Sequence, residues 1–362
     1  MVARRRRRVR AARGAVRVKN GRAGGILVGP PRLAPGAPRP AVPARQPSPM
    51  MTSSADPAAA APPRSDAARG LQRLAIVLIA LMVVVILMGA MTTSTGSGLA
   101  FLDWPLSDGA LMPERSYTTL PGFFEHFHRV AGACAGVLAV WLAVAAAWRC
   151  GARSPAARVT QAGLLLIVLQ GIVGGVGVLR ELAVVTSATH GTLAQVTIAT
   201  FAIAAYMLSP RWQATVPQQL PMATGARRMT LVTVVLLIVQ TVVGAIARHS
   251  SSEHALWTHV ANAFVVFFVV LVAASLAAGK MAAVPGVPAL ARRLMGLLAL
   301  QIVLGFAALL VRMGKHPENI EHLWRASLIS THVLVGALLT LVATLLMAHV
   351  WRGTRAAGGG NA

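Results

Sequence analysis

Glu125 and His128 stand three residues apart at the head of an apolar run that continues to Trp148. In a helix they share one face, while His126 lies about 200° of rotation from His128, so a single site can recruit only one of the two histidines. Ionisable groups at a membrane helix end are costly, which points to a functional role. The alternative reading is a helix start closed by a Glu125 to Arg129 ion pair. Three further histidines recur in the same setting: His190 in Ser187-Ala188-Thr189-His190-Gly191, His259 in Trp257-Thr258-His259-Val260, and His332 in Ser330-Thr331-His332-Val333. Each falls within the first turns of an apolar segment, about 10 Å below the membrane surface at 1.5 Å per residue. Two such imidazoles facing each other across a helix pair make an axial ligand set for haem iron, whose flat apolar ring suits the inside of a four-helix bundle. One buried histidine is ordinarily a hydrogen-bonded structural residue. Four at one depth, in a chain that otherwise keeps charge out of the apolar segments, point to metal ligation. The residue three before His128 is Glu125, whereas the residue three before His259 is Leu256. A proton-carrying group therefore accompanies only the first set, which suggests chemistry in the first half and electron storage or transfer in the second.

The elements that must carry these residues are membrane helices. Of 362 residues 56% are hydrophobic and 12% charged, well below the roughly 25% charge of soluble domains. The formal charge of +24 does not signify nucleic acid, because 15 of the 34 basic residues precede Gly70, in a tail set apart from the folded body. That tail, residues 1–68, is rich in Arg, Ala, Pro and Gly and reads as disordered. It is either a targeting segment or the product of a start placed too early, with Met50 or Met51 as the true one. Beyond it the expected fold is an all-α integral membrane protein of eight transmembrane helices: 71–91, 123–148, 160–179, 186–208, 229–247, 255–278, 294–313 and 326–350. Arg149, Arg153, Arg158, Arg211, Arg227, Arg228, Lys280, Arg292, Arg293, Arg352 and Arg355 collect on one side without acids, which makes that side cytoplasmic or matrix and puts both termini there. Asp103, Asp108, Glu114, Glu125, Glu181, Glu253, Glu318 and Glu321 fall on the other. Odd-numbered segments repeat a glutamine four residues before a glycine: Gln170 and Gly174, Gln240 and Gly244, Gln301 and Gly305, with Gly89 at the matching place in the first. The repeat implies two four-helix bundles, residues 69–210 and 211–355, and is read as helix packing in preference to a ligand role. His249, His254, His316, His322 and His349 are expected at loops or helix ends, in contact with solvent. Cys134 and Cys150, sixteen residues apart on one helix and so separated by about 24 Å, cannot pair.

The run 95–109 (TGSGLAFLDWPLSDG), the Glu125-His126-Phe127-His128-Arg129 stretch, and the placing of His190, His259 and His332 together resemble the haem A synthase family of eight-helix membrane enzymes over about residues 70–352. The resemblance implies that His128 and His190 bracket the substrate, haem O, that Glu125 is the catalytic carboxylate, and that His259 and His332 ligate a permanent haem B through its iron. The implied reaction oxidises a haem methyl group to a formyl group by successive hydroxylations, for cytochrome oxidase biogenesis. Implied partners are the lipid bilayer, haem O synthase, cytochrome oxidase assembly proteins and a second copy of the chain; no nucleic acid is implied. The implied location is a bacterial plasma membrane, with the mitochondrial inner membrane as the alternative. Phe101 and Ser107 stand where the family pattern has a cysteine pair, so no loop disulfide is expected. Trp104 either lines the first haem site or anchors the loop at the membrane surface. Two competing functions remain. One is a non-catalytic two-haem cytochrome carrying electrons from quinol; the other is a transporter, which the lack of helix-breaking Gly or Pro pairs at midplane disfavours.

Overall fold

The computed structural model describes residues 65–250, 252–314 and 323–355. Residues 1–64 of the tail, together with Glu318, Glu321, His316 and His322, lie outside the described residues. Among the described residues ten helices follow in order: α1 Ser65–Ser94, α2 Arg115–Thr118, α3 Leu120–Cys150, α4 Pro155–Leu179, α5 Val184–Met207, α6 Pro210–Ala214, α7 Ala223–His249, α8 Glu253–Lys280, α9 Val287–Met313 and α10 Leu323–Gly353. The start of α1 at Ser65 lies inside the stretch assigned to the tail. Local sequence accounts for several ends. Thr119, Ser154 and Ser252 accept from Gly122, Ala157 and Ala255 backbone N–H groups, and Pro121 and Pro155 occupy first-turn positions where no N–H is needed.

Among the described residues seven helices are long and apolar enough to cross a membrane, against eight expected. The difference is α5. At 24 residues it has the length, but Thr186, Ser187, Thr189, Thr192, Gln195, Thr197 and Thr200 dilute its hydropathy. These groups are accommodated because helix hydroxyls return hydrogen bonds to their own backbone, as Thr197 does to Leu193 and Thr200 to Val196, and because α5 is enclosed by neighbours on several sides. Ile198 and Phe201 are fully buried, and the Phe201 ring rests on Gly163 of α4, where an added Cβ would meet it at 2.7 Å.

The long helices form two closed circuits, α1, α3, α4 and α5, then α7, α8, α9 and α10. Leu71, Leu78, Leu142 and Ile198 fill the first, and Val270, Leu294, Leu298 and Leu346 the second. The circuits meet where α1 and α5 pack on α7 and α10, and that junction carries polar contacts at three heights. On the outer side Arg248 donates to Ser94 Oγ at 2.6 Å, and Ser94 lies 3.1 Å from Ser330 Oγ. Midway, Gln195 Oε1 accepts from Thr241 at 2.9 Å and Thr340 at 3.2 Å. On the inner side His349 stacks on Tyr206, ring centres 3.6 Å apart and planes 13° from parallel. His349 is therefore buried, at 6% exposure, and the expectation that it meets solvent is wrong: its flat ring is covered by the partner circuit. His249 is half-buried, and His254 is exposed as expected.

Candidate functional site

The helices α3, α5, α8 and α10 bring the four recurrent histidines together in pairs. The ring centres of His128 and His190 are 6.2 Å apart with planes at 78°, and those of His259 and His332 are 6.5 Å apart at 85°. Two metal–nitrogen bonds of about 2 Å, plus roughly 1 Å from each nitrogen to its ring centre, sum to about 6 Å. The two pairs thus have the spacing of imidazoles sharing one iron between them.

Each imidazole rests on a glycine of the preceding long helix. A Cβ on Gly89 would meet His128 Cε1 at 2.7 Å, on Gly174 His190 Cε1 at 2.8 Å, on Gly244 His259 Cε1 at 2.7 Å, and on Gly305 His332 Cε1 at 3.2 Å. The residue four before each glycine completes the seat. His128 Nδ1 donates to the Val85 carbonyl at 3.0 Å, and His190 Nδ1 to the Gln170 carbonyl at 3.2 Å. Gln170 and Gln240 amides donate to the His190 and His259 carbonyls, at 3.0 and 2.9 Å, and Gln301 Nε2 lies 3.3 Å from His332 Nε2. The repeat read as helix packing is thus a set of cradles for the four histidines. Its signal was the shared spacing; what the sequence hid was that the close approach is between glycine and imidazole.

With Nδ1 donating, His128 is held in the tautomer whose Nε2 lone pair is available to a metal, whereas His190 Nδ1 lies 3.2 Å from both the carbonyl and the amide nitrogen of Gln170. In the second pair the Nδ1 atoms of both His259 and His332 are buried without a hydrogen-bond partner among the described residues. Unlike at His128, no hydrogen bond at Nδ1 fixes the tautomer of these two rings. It is by ring spacing that both pairs fit a haem iron.

Glu125 is 3% exposed and both its oxygens are engaged. Oε1 pairs with the Arg129 guanidinium, and Oε2 accepts from the Phe101 backbone N–H at 3.0 Å. The ion pair with Arg129 is thus present, but it is part of a larger clasp. Arg129 also donates to the carbonyls of Phe101, Asp103 and Leu106, at 3.0, 2.7 and 2.6 Å, drawing the loop of residues 95–119 onto the head of α3. Phe101 is fully buried, with Arg115 and Arg129 over its ring at 5.1 and 5.8 Å and His126 edge-on at 6.0 Å. His126 Nδ1 lies 3.1 Å from Ser107 Oγ. The two residues that stand in place of a cysteine pair thus flank the same imidazole, and the loop closes without a covalent link. Both cysteines of the chain are free. Trp104 is 43% exposed, and its indole covers Gly175, where a Cβ would strike it at 2.5 Å. It borders the His190 cradle at Gly174.

Asp103 organises the tip of the loop. Its carboxylate accepts from Gly109 and Asp108 N–H at 2.8 and 2.9 Å, and these bonds, Gly109 foremost, hold its pKa below the ordinary aspartate value.

A family model described as cytochrome oxidase assembly protein matches residues 72–261, about half of the chain. A relative, the Heme A synthase of Symbiobacterium thermophilum, is 32% identical over 123 residues, which is 34% of this chain and 39% of that protein. The matched stretch thus spans about two fifths of that relative's length.

Proposed function

The chain belongs to the cytochrome oxidase assembly protein family, and on that premise we propose that it is a membrane oxidoreductase that converts the methyl group of haem O to the formyl group of haem A. His128 and His190 hold the substrate, and His259 and His332 hold a resident haem B. The observation that carries the reading is a buried carboxylate, Glu125, fixed one helical turn from His128, with Leu256 at the matching place before His259. Bound haem supplies electron transfer and oxygen chemistry.

The chain's own groups do the rest. Oxidation of a methyl group to an aldehyde releases protons as well as electrons, and Glu125 is placed to accept a proton at its carboxylate. The Arg129 guanidinium and the Phe101 N–H orient that carboxylate toward the head of α3. The clasped loop, with Trp104 on Gly175, limits entry of water above the first pair. Basic-only loops on one side favour both termini on the cytoplasmic or matrix face, and the membrane proposed is the bacterial plasma membrane. A two-haem cytochrome would use both histidine pairs but leave Glu125 only its place in the loop clasp.

Reconstitution with haem O and a reductant separates the two. Glu125→Gln is expected to keep haem at both pairs and its absorption spectrum, while haem A formation falls about 100-fold or more. An unchanged rate would reduce Glu125 to a helix-end residue. Failure of the unmodified protein to make any oxidised product would put the cytochrome in its place.

A further inference from the structure

Arg248 occupies the last turn of α7, four residues beyond Gly244, the cradle of His259. Its guanidinium crosses to the other circuit, donating to the Ala90 carbonyl at 2.9 Å and to Ser94 Oγ at 2.6 Å. Ala90 follows Gly89, on which His128 rests. Ser94 in turn touches Ser330, two residues before His332. One cation is thus held within a turn of the glycines that seat His128 and His259, and is linked through Ser94 to α10 two residues before His332. The matching position beyond Gly89 in α1 is Thr93, and beyond Gly174 and Gly305 it is Val178 and Leu309. No charge stands at those three places.

A positive charge fixed near an iron in a low-dielectric site favours the reduced form, which carries one positive charge fewer. Resting on the reading of His259 and His332 as haem ligands, we infer that Arg248 is a positioning residue that raises the reduction potential of the resident haem. Its hydrogen bonds to α1 fix the charge at the junction, where both circuits share it. A resident haem biased toward the reduced form retains an electron close to the pair where the substrate binds.

Spectroelectrochemical titration of the purified full-length protein, following the low-spin haem bands, tests this without recourse to activity. At a fixed applied potential near the midpoint, Arg248→Gln is expected to raise the oxidised-to-reduced ratio of the resident haem about tenfold, equivalent to 59 mV for a one-electron couple. Arg248→Lys is expected to keep most of the effect. Ser94→Ala leaves the charge but removes its anchor, and about a threefold change in the same direction is expected. It carries the test should Arg248→Gln fail to accumulate. An unchanged ratio in Ser94→Ala and in whichever Arg248 variant folds, with only the melting temperature lowered, would make Arg248 a structural tie and overturn the inference. An unmodified protein that purifies with no low-spin bis-histidine spectrum would defeat the haem reading itself, and the inference with it.

Discussion

The two circuits seat their histidines in the same way and surround them differently. In the first, both Nδ1 atoms are tied to backbone carbonyls, a 25-residue connection between α1 and α3 (residues 95–119) is clasped over the pair, and a carboxylate stands one turn away. In the second, α7 passes to α8 across residues 250–252, both Nδ1 atoms are buried without partners among the described residues, and the nearby charge is Arg248. On the proposed function, the repeated cradle answers to holding an iron, and the parts that differ answer to what is done there: a base and a cover on one side, a cation on the other.

The comparison breaks most directly at the ligands. Replacing both His259 and His332 with leucine is expected to remove the tightly held haem almost entirely, whereas the same change at His128 and His190 should mainly reduce the exchangeable haem. Haem content per chain after purification decides it, and a resident haem that survives the first double change would exchange the roles of the circuits.

Next in size are the cradles. Gly174→Ala and Gly244→Ala each drive a methyl group into an imidazole, and overpacking of this kind costs about 1–3 kcal/mol. Each is expected to displace only its own pair, visible as a shifted or weakened haem spectrum for that site. Gly136→Ala, on α3 with nothing within 4 Å of the added Cβ, should leave both spectra unchanged. Alanine favours a helix over glycine, so equal damage from all three would mean that the imidazole contact is not its source and that there is no cradle.

The smallest effect belongs to the loop that only the first circuit has. The Asp103 carboxyl has its folded-state pKa lowered, so its contribution to loop closure is present above the unfolded value near 3.8 and is lost as the pH falls through the lower folded value. Protease cutting within residues 95–119 should rise below about pH 4. Asp103→Asn should cut at a raised rate that no longer depends on pH in that window, and a variant whose cutting keeps the original acid dependence would remove Asp103 from the closure.

Much of this architecture is legible in the chain. The apolar segments announce membrane helices because a bilayer core demands their length, and the four histidines stand out because ionisable groups are rare there. The glutamine–glycine spacing is equally visible, but its meaning depends on which residue of the next helix arrives opposite the glycine, a tertiary fact. The same holds for Phe101, where a large apolar residue in a loop gives no sign that it will be buried beneath two arginines. His349 misled because nearness to a helix end suggests water, while the stacked Tyr206 comes from 143 positions away. Arg248, too, gives no sign in the sequence of the contacts it makes once α1 is packed beside it.

The polar contacts at the junction have a mechanical consequence. Arg248 near the outer surface, Gln195 midway and the Tyr206–His349 stack on the inner side tie the two circuits at three heights, so tilting one against the other must strain at least one tie. A membrane protein built from two repeated bundles is expected to leave the bilayer under force in two steps, one per bundle. Here α5 touches the other circuit at two of the three heights and α10 at all three. Pulled from its C-terminus, the chain would lose α10 first and with it the Ser330, Thr340 and His349 contacts, so the first rupture should carry the highest force and the remaining helices should follow at lower loads.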